Sequence, residues 1–254
     1  MKYIINTTLI IAVLFAGIYV MAKQGGDIMD ISQKVIDASI KTHGGNKSYE
    51  KLHLEFDFRD KHYTSSRNKG DFQYTRAFRD KSGERIKDIM TNETFSRAID
   101  GKISELDQKK INSYRNSINS VNYFALLPYF LNDEAVRKKY LGMTSIKDIP
   151  YYKIEVTFSE DGGGEDHDDI YVYWIREKEF TLDYMAYSYQ VNQGGVRFRE
   201  AYNPREIGGI RVQDYVNYKY HNKDFPVDQL DAKFAAGELE ELSRIELENV
   251  RAVE

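Results

Sequence analysis

The stretch SINSVNYFALLPYFLND, Ser117 to Asp133, is the longest apolar, aromatic run outside the N-terminus and sits between two blocks of short alternating segments. Val121, Phe124, Ala125, Leu126, Leu127, Phe130 and Leu131 surround Pro128, so a helix here carries apolar surface on nearly every side. Such a rod needs a concave apolar surface to receive it. The stretch therefore predicts a curved sheet wrapped around inserted helices. It names neither a ligand nor a reaction.

The flanking blocks supply the strands. Leu52, Leu54, Phe56 and Phe58 alternate with polar residues, and Phe72, Tyr74, Arg76 and Phe78 repeat the period of two after a turn at Asn68-Lys69-Gly70. Ile86, Asp88 and Met90, then Phe95, Arg97 and Ile99, give two more strands at spacings that fit antiparallel hairpins. Beyond the aromatic stretch, Asn132-Asp133 reads as the cap of a further helix with Lys138 and Lys139 toward its end and Gly142 as its stop. A second strand block follows: Tyr152 to Phe158, Ile170 to Trp174, Phe180 to Ala186, Val196 to Tyr202 and Ile210 to Tyr220, with a last strand through Ile245 and Leu247. The expected fold is α+β, a strongly curved antiparallel half-barrel of about ten strands around inserted helices. It forms one β-rich domain over residues 23–254 with a helical insertion at about 104–141.

Tyr 20 and Phe 13 against one Trp and four Pro favour strands, where aromatic side chains fit a pleated, half-buried surface. Net charge is -4, with 36 basic and 40 acidic residues mixed along the chain, and no basic tract marks a nucleic-acid partner. Met1 to Ala22 reads as an export signal cleaved near Ala22, or alternatively as an uncleaved anchor, so membrane contact is expected only through this segment. The protein is thus placed in the periplasm or cell envelope. With no Cys, an exported chain must rely on an ordinary core, and thiolate catalysis is excluded. Asp27 to Thr42 has helical spacing and ends at His43-Gly44-Gly45, where His43 reads as a cation capping the helix dipole or a surface packing residue rather than a ligand.

Several motifs carry a resemblance: His43-Gly44-Gly45, Phe56-Asp57-Phe58-Arg59, Asn119-Ser120-Val121 with Tyr123-Phe124, Leu131-Asn132-Asp133, Gly162-Gly163-Gly164-Glu165-Asp166-His167 and the run Arg197-Phe198-Arg199-Glu200-Ala201-Tyr202-Asn203. On these the chain resembles a family of uncharacterised exported bacterial proteins. In its order of elements it resembles the LolA and LolB type of lipoprotein carrier, which implies a curved antiparallel sheet whose concave face is covered by helices. The resemblance brings no established activity.

Two constellations hold chemistry. SEDGGGEDHDD, Ser159 to Asp169, offers Glu165, Asp166, His167 and Asp168 either as ligands for Ca²⁺ or a transition metal, or as an exposed acidic hairpin; otherwise no cofactor is expected. The alternation also turns Arg76, Asp88, Arg97, Glu200 and Asp214 toward the apolar faces of their strands. Isolated buried charge is costly, so these five pair with one another, face water in a cavity, or are turned outward by a bulge. With Tyr123 and Phe124 they are the candidate ligand-binding residues. The preferred reading is a noncatalytic binder of an apolar or amphipathic ligand, a lipid or lipidated chain. The alternatives are an envelope enzyme acting on a small anion through Arg76, Arg97, Glu200 and Asp214, and a scaffold whose cavity is filled.

Overall fold

A computed structural model describes residues 31–160, 169–190 and 194–253. The segment Met1 to Ala22, expected to be a signal or anchor, and the metal candidates Glu165, Asp166, His167 and Asp168 lie outside the described residues. Helix α1 covers residues 31–42 of the described chain, and α2 follows at Gly45–Glu50. The first strand block holds β1 (His53–Phe58), β2 (Lys61–Asn68), β3 (Asp71–Arg79), β4 (Arg85–Thr91), β5 (Phe95–Ile99) and β6 (Lys102–Ile103). Helix α3 (Gln108–Ala125) and a 3₁₀ turn at Tyr129–Asn132 separate it from β7 (Val136–Ile146), β8 (Ile149–Phe158), β9 (Tyr171–Arg176), β10 (Leu182–Tyr189), β11 (Gly195–Ile207) and β12 (Ile210–Lys219). Helix α4 (Leu230–Ala235), β13 (Glu240–Ile245) and β14 (Glu248–Ala252) complete the described chain.

The strands form two seven-stranded antiparallel sheets, ordered β14-β1-β2-β3-β4-β5-β6 and β13-β12-β11-β10-β9-β8-β7. The chain passes from one to the other between β13 and β14, each an edge strand of its own sheet. Curved antiparallel strands around inserted helices are therefore the architecture, with fourteen strands in place of about ten. Four differences account for the extra count, the shortest being β6, a two-residue strand at Lys102–Ile103 ahead of α3. KHYTSSRN forms β2, although its side chains are polar on both faces. Residues 136–146 form strand β7 rather than the expected helix, and Gly142 sits at a register shift with φ 104 instead of ending a helix. The tail makes two strands where one was expected, and the helical insertion shrinks to residues 108–132.

The second sheet is covered on both faces. On one, Val35, Ile36 and Ile40 of α1 pack with Leu127 and Leu131 against Ile154, Tyr173 and Met185. On the other, Val227 and Leu230 with Phe234 of α4 cover Trp174, Tyr184 and Phe198. Asp231 anchors α4 there, accepting from Trp174 Nε1 at 3.1 Å and pairing with Lys153 at 2.9 Å. The first sheet buries Leu54, Phe56 and Tyr63 against Tyr49, Leu126 and the Ile210-Val212 end of β12. His43 is fully buried rather than a capping cation: its Nδ1 lies 2.8 Å from the Ser39 carbonyl oxygen, and burial lowers its pKa to about 4, which keeps it neutral.

Candidate functional site

Helix α3 begins at Asp107, whose carboxylate accepts from the Lys110 backbone N–H at 2.8 Å, an N-cap that satisfies one free donor of the first turn. Farther along, Ile118 is buried against Tyr74 and Met90 of the first sheet. In the last turn, Phe124 meets Tyr171 and Tyr187 of the second sheet at ring-centroid distances of 6.5 and 6.1 Å. The helix therefore bridges the two sheets. Ser117, Ser120, Val121, Phe124 and Ala125 recur at the helical spacing that defines one face, and this face roofs a cavity of about 310 Å³.

The cavity's opposite wall comes from both sheets. Phe58 and the exposed Arg59, then Arg199, Gln213 and Tyr215 of the second sheet, and Ile245 and Leu247 from the segment where the chain changes sheets complete the lining. Gln213 is held by its amide, which donates to the Leu182 carbonyl at 2.8 Å and to Tyr215 Oη at 2.9 Å. Burial pushes the Tyr215 phenol above its ordinary pKa, so it stays a neutral hydroxyl. Among the described residues the lining holds two arginines and no carboxylate. That imbalance belongs to a chain whose net charge is -4.

Arg199 is the unusual member. It is 7% exposed, and its guanidinium lies 4.4 Å from the Phe124 ring centroid and 5.0 Å from that of Tyr187. Its Nη2 donates to Tyr187 Oη at 2.9 Å, while its buried Nε has no partner. Among the described residues no carboxylate pairs with it. Arg59 is exposed, has φ 57, and places its guanidinium 5.0 Å from the Phe58 ring centroid.

The candidates read from sequence fall in several places. Arg76, Asp88 and Arg97 are cross-strand neighbours in β3, β4 and β5. Asp88 accepts from Arg76 Nη2 at 2.7 Å and from Arg97 Nε at 2.6 Å, with no exposure of its own. Arg76 Nη1 reaches the Ser117 hydroxyl at 2.8 Å, and the Arg97 guanidinium lies 3.5 Å from the Tyr114 ring centroid. The triad thus sits beneath α3 and fixes the helix to the first sheet.

Phe124 lines the cavity, whereas Tyr123 is turned toward Phe130 and Phe158 at centroid distances of 5.2 and 6.3 Å. Glu200 points to the other face of the second sheet, beside α4, accepting from Lys147 at 2.6 Å and Tyr218 Oη at 3.2 Å. Asp214 accepts from Arg205 at 2.7 and 3.0 Å, Asn203 at 2.7 Å and the Leu247 backbone N–H at 3.0 Å. These donors hold its carboxyl below the usual pKa even though burial alone raises it. A register shift between Tyr202 and Arg205 brings Asn203 and Arg205 to it. The five charges therefore form three separate groups, and Arg199, which the alternation assigned to the outward face of its strand, is the one that enters the cavity.

Residues 13–247 match the model of DUF6503, described as a family of unknown function. The chain belongs to this family. No curated protein matches it. Among solved structures, it is similar to a LolA superfamily protein from Nitrosomonas europaea, 12% identical, over 88% of this chain and 94% of that one, with a TM-score of 0.48. It is also similar to a DUF1329 family protein from Desulfovibrio piger, 12% identical over 87% of this chain and 92% of that one, with a TM-score of 0.41.

Proposed function

We propose that this DUF6503 member is a noncatalytic exported binding protein that holds an apolar or amphipathic ligand, a lipid or lipidated chain, under α3. The observation that carries the reading is the cavity of about 310 Å³ roofed by Val121, Phe124 and Ala125 and faced by Phe58, Tyr215 and Ile245. A volume of this size lies within the range of small-molecule pockets, roughly 300–1,000 Å³, and a mainly apolar lining with a few polar groups is the usual composition. Export is supported by the apolar segment near the N-terminus. The alternative reading as an enzyme needs Arg76, Arg97, Glu200 and Asp214 to converge, and they stand in three separate groups.

Native mass spectrometry of protein purified from its own envelope tests the proposal, alongside titration with a fluorescent fatty acid. Co-purification of a nonprotein mass, or saturable uptake of the probe, is expected. Ligand-free protein together with no uptake overturns it.

A further inference from the structure

Arg199 carries more than a general affinity for apolar matter. Burying a guanidinium is costly unless charge and hydrogen bonds compensate. Here Phe124 and Tyr187 supply ring faces and one hydroxyl, and Nε stays unpartnered. Arg76 and Arg97 share Asp88 and Arg205 is paired with Asp214, whereas half-buried Arg67 is held as Arg199 is, by one tyrosine hydroxyl and two ring faces with its Nε unpartnered, but it lies outside this cavity. Around Arg199 the lining provides, among the described residues, Gln213, Ser117, Ser120 and Tyr215 but no acid, and the exposed Arg59 adds a second positive charge.

A missing anion fits this arrangement. A guanidinium presents donors in a planar fork that matches the oxygens of a carboxylate or phosphate. The apolar wall of Val121, Ala125, Phe58 and Ile245 lies within the same cavity, so the molecule that satisfies both parts has an oxyanion head and a hydrocarbon tail. At about 310 Å³ the space holds about ten groups of water size, taking roughly 30 Å³ for each. That suits one medium-length alkyl chain better than two.

Resting on the proposed binding function, we propose that the ligand is a single-chain anionic amphiphile whose carboxylate or phosphate head is held by Arg199. The exposed Arg59 is a second positive charge in the lining. Free small anions lack the tail that the apolar wall would bury, and neutral lipids leave the guanidinium unpaired.

The test uses the full chain and four probes: dodecanoate, dodecyl phosphate, dodecanol and acetate, titrated by calorimetry with the two dodecyl anions below their critical micelle concentrations and dodecanol below its solubility limit. Dodecanoate or dodecyl phosphate is expected to bind at least about tenfold tighter than dodecanol, the scale of one charge-assisted hydrogen bond, with acetate weakest. The stronger of the two anions identifies the head group. Arg199→Gln should remove the preference while dodecanol binding persists, and Arg199→Lys should retain part of it. The comparison of heads in the unaltered protein stands even if Arg199→Gln fails to fold. Equal binding of dodecanol and both anions overturns the anionic head while leaving the apolar trough intact. A preference that survives unchanged in folded Arg199→Gln removes Arg199 as its source. Failure of all three dodecyl probes to bind overturns both the head-group assignment and the binding function on which it rests.

Discussion

Asp214 accepts a hydrogen bond from the Leu247 backbone N–H at 3.0 Å, at the point where the chain leaves one seven-stranded sheet for the other. The same carboxylate receives both Arg205 terminal nitrogens, so one buried acid ties β11, β12 and the crossing segment together. Asp214→Ala leaves the Leu247 donor and the Arg205 guanidinium without this acceptor. Breaking such a buried pair costs about 3 kcal/mol. Urea denaturation should show that loss, whereas Glu246→Gln, altering a neighbouring exposed contact with Tyr202, should change stability by under about 0.5 kcal/mol. Equal stability of Asp214→Ala and the parent would show that the crossing does not depend on this acid.

Gly44 has φ 129, and a Cβ there would collide with the Gly209 carbonyl and lie 2.9 Å from Ile210 Cα. The close approach has a use: the Arg211 backbone N–H donates to the His43 carbonyl at 2.9 Å, docking the end of α1 on the start of β12. Gly44→Ala should cost about 3 kcal/mol through strain and overpacking. Gly45→Ala shares the positive φ, at 73, but meets nothing within 4 Å and should cost only about 1 kcal/mol. Thermal unfolding of the two variants separates a packing role from a purely backbone one, since equal losses would leave no part for the contact.

Alternation located β3, β4 and β5 well enough to place Arg76, Asp88 and Arg97 on one face, and antiparallel pairing then made them partners. The same logic failed on β11. Its Phe198 face is covered by α4 and its Arg199 face looks toward α3, so both sides of the strand are interior and period two cannot say which side is the cavity. The quoted run from Arg197 to Asn203 contained the signal, an arginine on the face opposite Phe198 with no acid at its own alternation positions, Arg197 and Ala201. β2 was hidden for another reason: only Tyr63 and Ser65 of its eight residues are buried, and the strand owes its place to pairing on both edges. In β7, the charged Arg137 to Lys139 run resembles a helix end, but antiparallel pairing with β8 decides the conformation.

The Arg76-Asp88-Arg97 triad should prove structural. Asp88→Ala strands two poorly exposed guanidiniums and should destabilise by about 3–5 kcal/mol, whereas Arg76→Met, Asp88→Leu and Arg97→Met combined remove all three charges and should recover most of that loss. Stability of the two variants in urea is the direct measure. If the triple variant remains as weak as Asp88→Ala, the charges contribute more than mutual neutralisation.

His43 gives the protein an acid-sensitive core. Burial, the first cause, drives its pKa from 6.5 to about 4; Arg211 pushes in the same direction, while the Ser39 carbonyl and Asp183 oppose it. The folded state therefore keeps the imidazole neutral over a range in which the unfolded chain takes up a proton. Its contribution is full above pH 6.5 and is lost as pH falls from 6.5 toward about 4, amounting to about 3 kcal/mol across that window. Urea midpoints between pH 7.5 and 4.5 should fall accordingly, and His43→Gln, which cannot titrate, should reduce the decline. Carboxylates contribute to acid loss in both proteins, so the difference between the two slopes isolates the imidazole. Parallel slopes would mean that His43 is protonated in the fold as readily as in the open chain, which its zero exposure opposes.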